Sequence, residues 1–109
     1  MLATVLDAWQ EHIGAHQPEK VAALFTEDAV FQGLKPYTVG RAGIAAYYDS
    51  QPPGMTVDYR ILGEKITGDV VVGWVAADFH FTDREPVQLN LTVVLDHQKI
   101  THYHVSHRV

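Results

Sequence analysis

Residues 70–81 read Val-Val-Val-Gly-Trp-Val-Ala-Ala-Asp-Phe-His-Phe, and this stretch decides the fold class. Its odd-numbered positions are almost all apolar, whereas its even-numbered positions include Trp74, Asp78 and His80. Alternation with a period of two is typical of a β-strand that buries one face. The stretch therefore predicts a long strand with one apolar side and one mixed side.

Further strands with the same alternation lie on both sides of this stretch. Glycine, proline or aspartate in residues 67–69, 83–86 and 96–99 indicates turns between them. Because short turns join antiparallel neighbours, the second half of the chain predicts an antiparallel meander. Its strands are expected at residues 55–61, 70–81, 87–95 and 100–107.

The first half of the chain has the periodicity of helices. Apolar residues recur three and four positions apart up to Gly14, Pro18 suits the first turn of a second helix, and residues 41–49 predict a third. A short strand is expected at residues 29–32 and a loop at residues 34–40. Because helices and sheet each bury only one side, the pattern predicts an α+β fold in which three N-terminal helices pack on a curved antiparallel sheet.

The odd-numbered side of the strands is expected to meet the helices. Burial of a large apolar side chain such as Phe79 stabilises a fold by roughly 1.5–3 kcal/mol. Burial of His80 without a partner would cost about as much or more. In the last strand the alternation places Thr101, Tyr103, Val105 and His107 inside, and Ile100, His102, His104 and Ser106 outside.

Composition excludes several classes of protein. The chain has 109 residues, a net charge of −5 and no cysteine. This length suits one domain, which we place at residues 1–109. The negative net charge argues against nucleic-acid binding, and the lack of cysteine excludes disulfides. No apolar stretch reaches the ~20 residues that are needed to span a bilayer. We expect a cytoplasmic protein that has neither a nucleic acid nor a membrane as its partner.

The outward side of the sheet combines Trp74 and several valines with polar side chains. Such a mixture is typical of a protein–protein contact, and it predicts a homodimer through this outer face. Asp78, His80, His102 and His104 allow an alternative, because imidazoles and a carboxylate on adjacent strands bind transition metals. Dimer contacts are the favoured interpretation, and a metal site at these residues is the alternative.

Two motifs connect the chain to a known family. Residues 24–31, Leu-Phe-Thr-Glu-Asp-Ala-Val-Phe, and residues 40–48, Gly-Arg-Ala-Gly-Ile-Ala-Ala-Tyr-Tyr, are followed by the long strands. Together they resemble the nuclear-transport-factor-2-like (NTF2-like) superfamily and, within it, the SnoaL-like group. The resemblance implies a cone-shaped fold, a pocket for a small apolar molecule, no required cofactor or metal, and a dimer through the outer sheet face.

The resemblance includes ketosteroid isomerase, whose catalytic residues are only partly matched. The oxyanion-binding tyrosine and aspartate of that enzyme, and its aspartate base, correspond to Trp9, Leu91 and Gly33 in this chain. Those three residues lack the required functional groups. Tyr48 matches the supporting tyrosine of the same network. These departures argue against steroid-isomerase chemistry.

The remaining candidates define a predicted site. At least one of Tyr47 and Tyr48 should face the cavity; Tyr48 is expected to orient a substrate and His107 to move a proton. We predict binding of a small, largely apolar metabolite, with cofactor-free acid–base chemistry of the isomerase, cyclase or dehydratase type; a non-catalytic dimeric binding module is the alternative. Aromatic side chains suit either a flat ligand or a packed core. The predicted ligand-binding residues are Trp9, Phe31, Tyr59, Phe79, Leu91 and Tyr103.

Overall fold

The computed structural model describes residues 2–108. Over this range the chain forms three helices and the strands of one six-stranded sheet, which confirms the predicted α+β architecture. None of these helices is long and apolar enough to span a membrane. The helices are α1 (Leu2–Gly14), α2 (Pro18–Ala22) and α3 (Arg41–Asp49), and the strands are β1 (Phe25–Gln32), β2 (Tyr37–Val39), β3 (Thr56–Thr67), β4 (Val70–His80), β5 (Val87–Asp96) and β6 (Lys99–His107).

The strands lie in the order β2-β1-β6-β5-β4-β3. The long strands β3 to β6 form the antiparallel meander expected from their turns. β1 pairs with β6 in parallel, with Phe31 opposite Tyr103, so the sheet is mixed rather than wholly antiparallel. β1 and β6 lie far apart in the chain. Alternation within a strand shows which of its faces is buried, but it does not show which strand is its neighbour, so this pairing could not be predicted from it.

The helices cover the odd-numbered side of the sheet, as predicted. α1 turns its apolar stripe inward, and Trp9 on that stripe is fully buried. Val75 of β4 and Val93 of β5 are also fully buried, while Trp74 and His104 on the opposite side are exposed. One sheet face and α1 thus form a common core, as burial of apolar surface favours.

A register shift between Val94 and Leu95 changes the side on which the last strand begins. Leu95 lies opposite Ile100, and both side chains are fully buried. The prediction that Ile100 faces outward and Thr101 inward is therefore wrong. Its physical reason is a β-bulge, since one extra residue reverses the alternation beyond it.

Two boundaries in the first half of the chain also differ from the prediction. β1 begins at Phe25 rather than Ala29. Phe25 pairs with Ile100 of β6, so hydrogen bonding to a distant strand extends β1 across the polar residues 26–28. Inside the predicted loop at residues 34–40, the short strand β2 pairs with β1.

Candidate functional site

The sheet and α3 form the walls of a cavity of about 290 Å³. Its walls come from the inner face of the sheet, the C-terminal end of α3 and the turn at residues 33–36. The volume lies at the small end of the roughly 300–1,000 Å³ typical of ligand pockets. The lining residues are Phe31, Gly33, Leu34, Lys35, Pro36, Tyr47, Gln51, Met55, Phe79, Phe81, Val87, Leu89, Tyr103 and Val105.

The cavity has an apolar interior and a more polar mouth. Phe31, Phe79 and Tyr103 are buried and form part of the interior wall. The rings of Phe31 and Tyr103 stack almost in parallel, with centroids 4.6 Å apart. Lys35 and Gln51 are exposed and half-exposed lining residues, respectively. A ligand here would bury its apolar part and keep its polar part near solvent.

Tyr47 of α3 contributes a phenol to the cavity wall. Its ring packs on Phe31 with centroids 4.9 Å apart, and its side chain is half-buried. Among the described residues, the Tyr47 hydroxyl has no hydrogen-bond partner. Burial raises the pKa of this phenol, so it stays protonated and offers an O–H donor to a ligand.

Tyr48, the next residue along α3, points into the core. Its hydroxyl accepts a hydrogen bond from Trp9 Nε1 at 3.1 Å, and Tyr103 lies close enough for the two phenols to influence each other's pKa. All three side chains are buried. Burial raises the pKa of Tyr48 and the pKa of Tyr103 well above the ordinary value of tyrosine. The Tyr48 hydroxyl and the Trp9 N–H are thus satisfied internally, as buried polar groups in native proteins are.

The loop between β4 and β5 places a cation at the mouth of the cavity. The guanidinium carbon of Arg84 lies 3.9 Å from the ring centroid of Phe81, a lining residue. This arrangement is a cation–π contact, which holds the guanidinium over the ring. Lys35 on the turn at residues 33–36 is a second cation. Two separate loops thus supply positive charge near the cavity: Lys35 belongs to its lining, and Arg84 stacks on the lining residue Phe81.

The structure divides the predicted site residues into two groups. Three of them line the cavity, namely Phe31, Phe79 and Tyr103, and their binding role stays a prediction. Trp9, Tyr48 and Leu91 are instead core residues outside the lining, since α1 and α3 pack over the sheet at their positions.

Tyr59 and His107 also lie outside the cavity lining. Tyr59 of β3 donates a hydrogen bond to Asp7 of α1; desolvation and this bond raise the pKa of the phenol to about 12. His107 lies opposite Leu89 in the register of β6, but its side chain is exposed because the strand ends there. The predicted proton transfer by His107 would need a ligand that extends beyond the lining described above.

Gly33 occupies the position that the resemblance matches to the catalytic base of ketosteroid isomerase. The Gly33 amide donates a hydrogen bond to the Pro36 carbonyl at 2.8 Å, which draws the turn tight. A β-carbon at Gly33 would lie only 2.8 Å from Cγ of Pro36. The turn therefore has no room for a carboxylate-bearing side chain, in agreement with the argument against steroid-isomerase chemistry.

The residues of the alternative metal site do not converge. β5 lies between β4 and β6, so Asp78 and His80 are separated by a whole strand from His102 and His104. His80 instead pairs with Asp58 at 3.1 Å. Within residues 2–108, no group of three or more histidine, cysteine, aspartate or glutamate side chains is arranged to hold a metal ion. The expectation that adjacent strands bring Asp78, His80, His102 and His104 together is wrong.

Sequence comparison identifies the family. Residues 6–103 match the SnoaL-like domain. The chain belongs to the SnoaL-like domain family. Among curated proteins, no sequence matches it significantly. The family match confirms the resemblance that the motifs at residues 24–31 and 40–48 indicated.

Solved structures share the fold of this SnoaL-like chain at low sequence identity. A domain of unknown function with a cystatin-like fold from Nostoc punctiforme superposes with a TM-score of 0.84 at 15% identity, over 97% of this chain and 74% of that one. A ketosteroid isomerase-like protein from Erwinia carotovora atroseptica gives 0.79 at 19% identity, over 95% and 91%. An LEH-like epoxide hydrolase from Mycobacterium tuberculosis gives 0.68 at 15% identity, over 94% and 78%. Such likeness shows the NTF2-like fold alone, so the chemistry has to be argued from the site.

Sequence reasoning missed several cavity residues of the SnoaL-like chain. Lys35 lies in a stretch predicted only as a loop, and Gln51 lies just beyond the end of α3. Arg84, which stacks on the lining residue Phe81, lies in a stretch predicted only as a turn. Side-chain direction in loops follows no period, so no sequence signal points to them. The sequence did point to Tyr47, because at least one of the two adjacent tyrosines of α3 is expected to face the cavity.

Proposed function

We propose that this SnoaL-like protein binds a small, largely apolar ligand in the cavity beside Tyr47. The Tyr47 hydroxyl is the observation that carries the proposal, since it belongs to a mostly apolar lining and has no partner among the described residues. An acceptor atom on a ligand would satisfy this donor, and such a hydrogen bond is worth about 1 kcal/mol. The cavity thus combines apolar walls with one hydrogen-bond donor that can orient a ligand, as small-molecule sites do.

The aromatic side chains of the cavity wall favour a flat ligand. Tyr47, Phe31 and Tyr103 form a continuous series of ring contacts, with centroid separations of 4.9 and 4.6 Å along it. Phe79 and Phe81 add further rings to the lining. Offset and edge-on aromatic contacts contribute roughly 0.5–1.5 kcal/mol beyond the area they bury, so a planar ring is favoured over a branched aliphatic group.

The lining favours binding over proton transfer. Within the described residues, no aspartate, glutamate or histidine belongs to it. The raised pKa of Tyr47 makes this phenol a donor rather than a base near neutral pH. We therefore give Tyr47 an orienting role toward a carbonyl or hydroxyl oxygen of the ligand. The acid–base chemistry of Tyr48 and His107 stays a prediction.

The experiment has two stages. Native mass spectrometry of freshly purified protein would first be used to look for a co-purifying small molecule. Calorimetric titration with 2-acetylnaphthalene and 2-ethylnaphthalene would then compare two ligands of one shape, only one of which has an acceptor oxygen. We expect 2-acetylnaphthalene to bind about fivefold more tightly, as one hydrogen bond of about 1 kcal/mol implies.

Two variants make this test specific. Tyr47→Phe should abolish the preference for 2-acetylnaphthalene, whereas Tyr48→Phe, one residue away, should retain it. Val105→Phe adds a ring at a buried position of the lining and should block both ligands. Unchanged affinity in Val105→Phe would place the binding site outside this cavity and contradict the proposal.

We also propose that a second copy of the chain packs on the outer sheet face. An outer belt of six apolar residues supports this dimer, because the pairing registers place them in two adjacent rows across the sheet. His102 and His104 lie between them, and their rings are 6.3 Å apart. An apolar stripe with polar groups around it is typical of a subunit contact. The outer belt consists of Val30, Tyr37, Val39, Val72, Trp74 and Val94.

A further inference from the structure

The mouth of the cavity is positively charged although the protein as a whole is acidic. The net charge of the chain is −5. Among the described residues, however, Lys35 is the only charged residue in the lining. Arg84 lies outside the lining, and its guanidinium stacks on the ring of the lining residue Phe81. The charge carried by the lining is thus opposite in sign to the overall charge.

Neither cation is neutralised by a neighbouring carboxylate. Within residues 2–108, Lys35 and Arg84 take part in no ion pair with aspartate or glutamate. Asp83 and Glu85 flank Arg84 in the loop; like Arg84 itself, they lie outside the cavity lining, and neither of them pairs with Arg84. The stacking on Phe81 orients the guanidinium without using its N–H groups as donors to an anion.

The order of polar groups along the cavity implies an amphipathic ligand. The interior side chains Phe79 and Leu89 are buried and apolar. Tyr47, with a half-buried side chain, offers a donor, and the two cations are exposed to solvent. A ligand that fits this order has an apolar body and one polar head, which remains at the mouth.

We infer that the cavity is selective for small aromatic or alicyclic carboxylates, with the carboxylate held at the mouth between Lys35 and Arg84. This inference rests on the proposed binding function and names its ligand class. Guanidinium and ammonium groups both form charge-assisted hydrogen bonds to carboxylates, and an arginine presents two parallel donors. The ring of the ligand would lie against the aromatic wall, beneath the head group.

The test compares 2-naphthoate with 2-acetylnaphthalene by calorimetric titration at low ionic strength and about pH 7.5, where a carboxylate is ionised. The two ligands have the same ring and a similar shape, and only the first is charged. We expect 2-naphthoate to bind about fivefold more tightly, since two exposed cations interact weakly with an anion. The preference should decrease as salt is added.

Charge-removing variants assign the effect to the two residues. Lys35→Met and Arg84→Met remove the charges and keep apolar stems, so the double variant should lose the preference for 2-naphthoate. Lys65→Met is the matched control, because Lys65 is an exposed lysine of β3 outside the lining. It should retain the preference.

The outcomes separate this inference from the proposed function. If 2-acetylnaphthalene binds and 2-naphthoate binds no better, or if the double variant keeps the preference, the carboxylate inference is overturned while ligand binding stands. If neither ligand binds the wild-type protein, both proposals fail.

Discussion

The ring of Tyr47 stands at 77° to the ring of Tyr48, with the two centroids 5.1 Å apart. This geometry places two adjacent phenols of α3 in different surroundings. Tyr47 lines the cavity with a hydroxyl that no described residue binds, whereas the hydroxyl of Tyr48 accepts a hydrogen bond from Trp9 in the core. Their sequence neighbourhood is the same, so the two residues form a natural matched pair for mutagenesis.

Tyr48→Phe should lower the free energy of unfolding by about 1–3 kcal/mol, because it leaves the buried Trp9 Nε1–H without an acceptor. Tyr47→Phe should change it by less than about 0.5 kcal/mol, as expected where no hydrogen bond is lost. Urea unfolding of both variants and the wild type measures the difference. Equal destabilisation by the two substitutions would contradict the hydrogen-bond assignment.

Gly73→Ala should destabilise the fold by about 1–3 kcal/mol through overpacking. A β-carbon at Gly73 would overlap Cδ2 of Leu2, a buried residue of α1. Gly63→Ala is the control, since its β-carbon would lie 3.7 Å from Trp74, an ordinary contact. Thermal unfolding of both variants tests the prediction.

A double-mutant cycle locates the cause of the Gly73 effect. Leu2→Ala removes the atoms that the added methyl group would meet, so the double variant should be more stable than the sum of the single effects implies. Additive effects would show that the strain at Gly73 arises elsewhere.

His97 should make stability depend on pH. Its ring contacts Asp96 at 2.7 Å and Asp69 at 3.1 Å, so it connects the turn after β5 to the turn after β3. The hydrogen bond to Asp96, and then the charge of Asp69, raise the pKa of His97 above the ordinary 6.5. A raised pKa means that the folded state favours the protonated ring. The stabilisation is therefore complete below about pH 6.5 and is lost as the pH rises through the folded-state pKa.

His97→Asn should remove this pH dependence. Urea unfolding between about pH 5.5 and 8.5 should show the largest difference from wild type at the acidic end. His16→Asn is the matched control, because His16 and His97 both adopt left-handed backbone angles, with φ of 52° and 50°, which asparagine tolerates. A constant difference between wild type and His97→Asn across this range would refute the assignment.

Trp74→Asp should separate the proposed dimer into monomers. Trp74 lies in the outer belt and is 44% exposed in the single chain. Loss of a tryptophan that an interface buries costs about 2 kcal/mol or more, which weakens association roughly 30-fold. Sedimentation velocity over a range of concentrations would measure the change. Ala46→Asp places the same charge on the exposed side of α3 and should leave association unchanged.

Part of the site could be predicted from the sequence, and part could not. Phe31, Phe79 and Tyr103 are correctly predicted to lie on the inner side because the alternation around each of them is regular; the bulge in β6 lies before Tyr103. Tyr48 and Trp9 face inward too, but the helices pack closely over the sheet there, and the void that Tyr48 lines has a volume of only about 10 Å³. Periodicity gives the side on which a residue lies, and it does not give the volume left after packing.

The amino-acid sequence by itself determined the α+β class, the meander of long strands and the face of the sheet that meets the helices, because these follow from local periodicity and from apolar burial. Tertiary structure alone decided the parallel pairing of β1 with β6, the bulge that turns Ile100 inward, and the position of β5 between the two histidine-bearing strands. It also decided which tyrosine of α3 faces the cavity and brought Arg84 over Phe81. These features depend on hydrogen bonds and contacts between segments far apart in the chain, and the pattern within one segment does not record its distant partner.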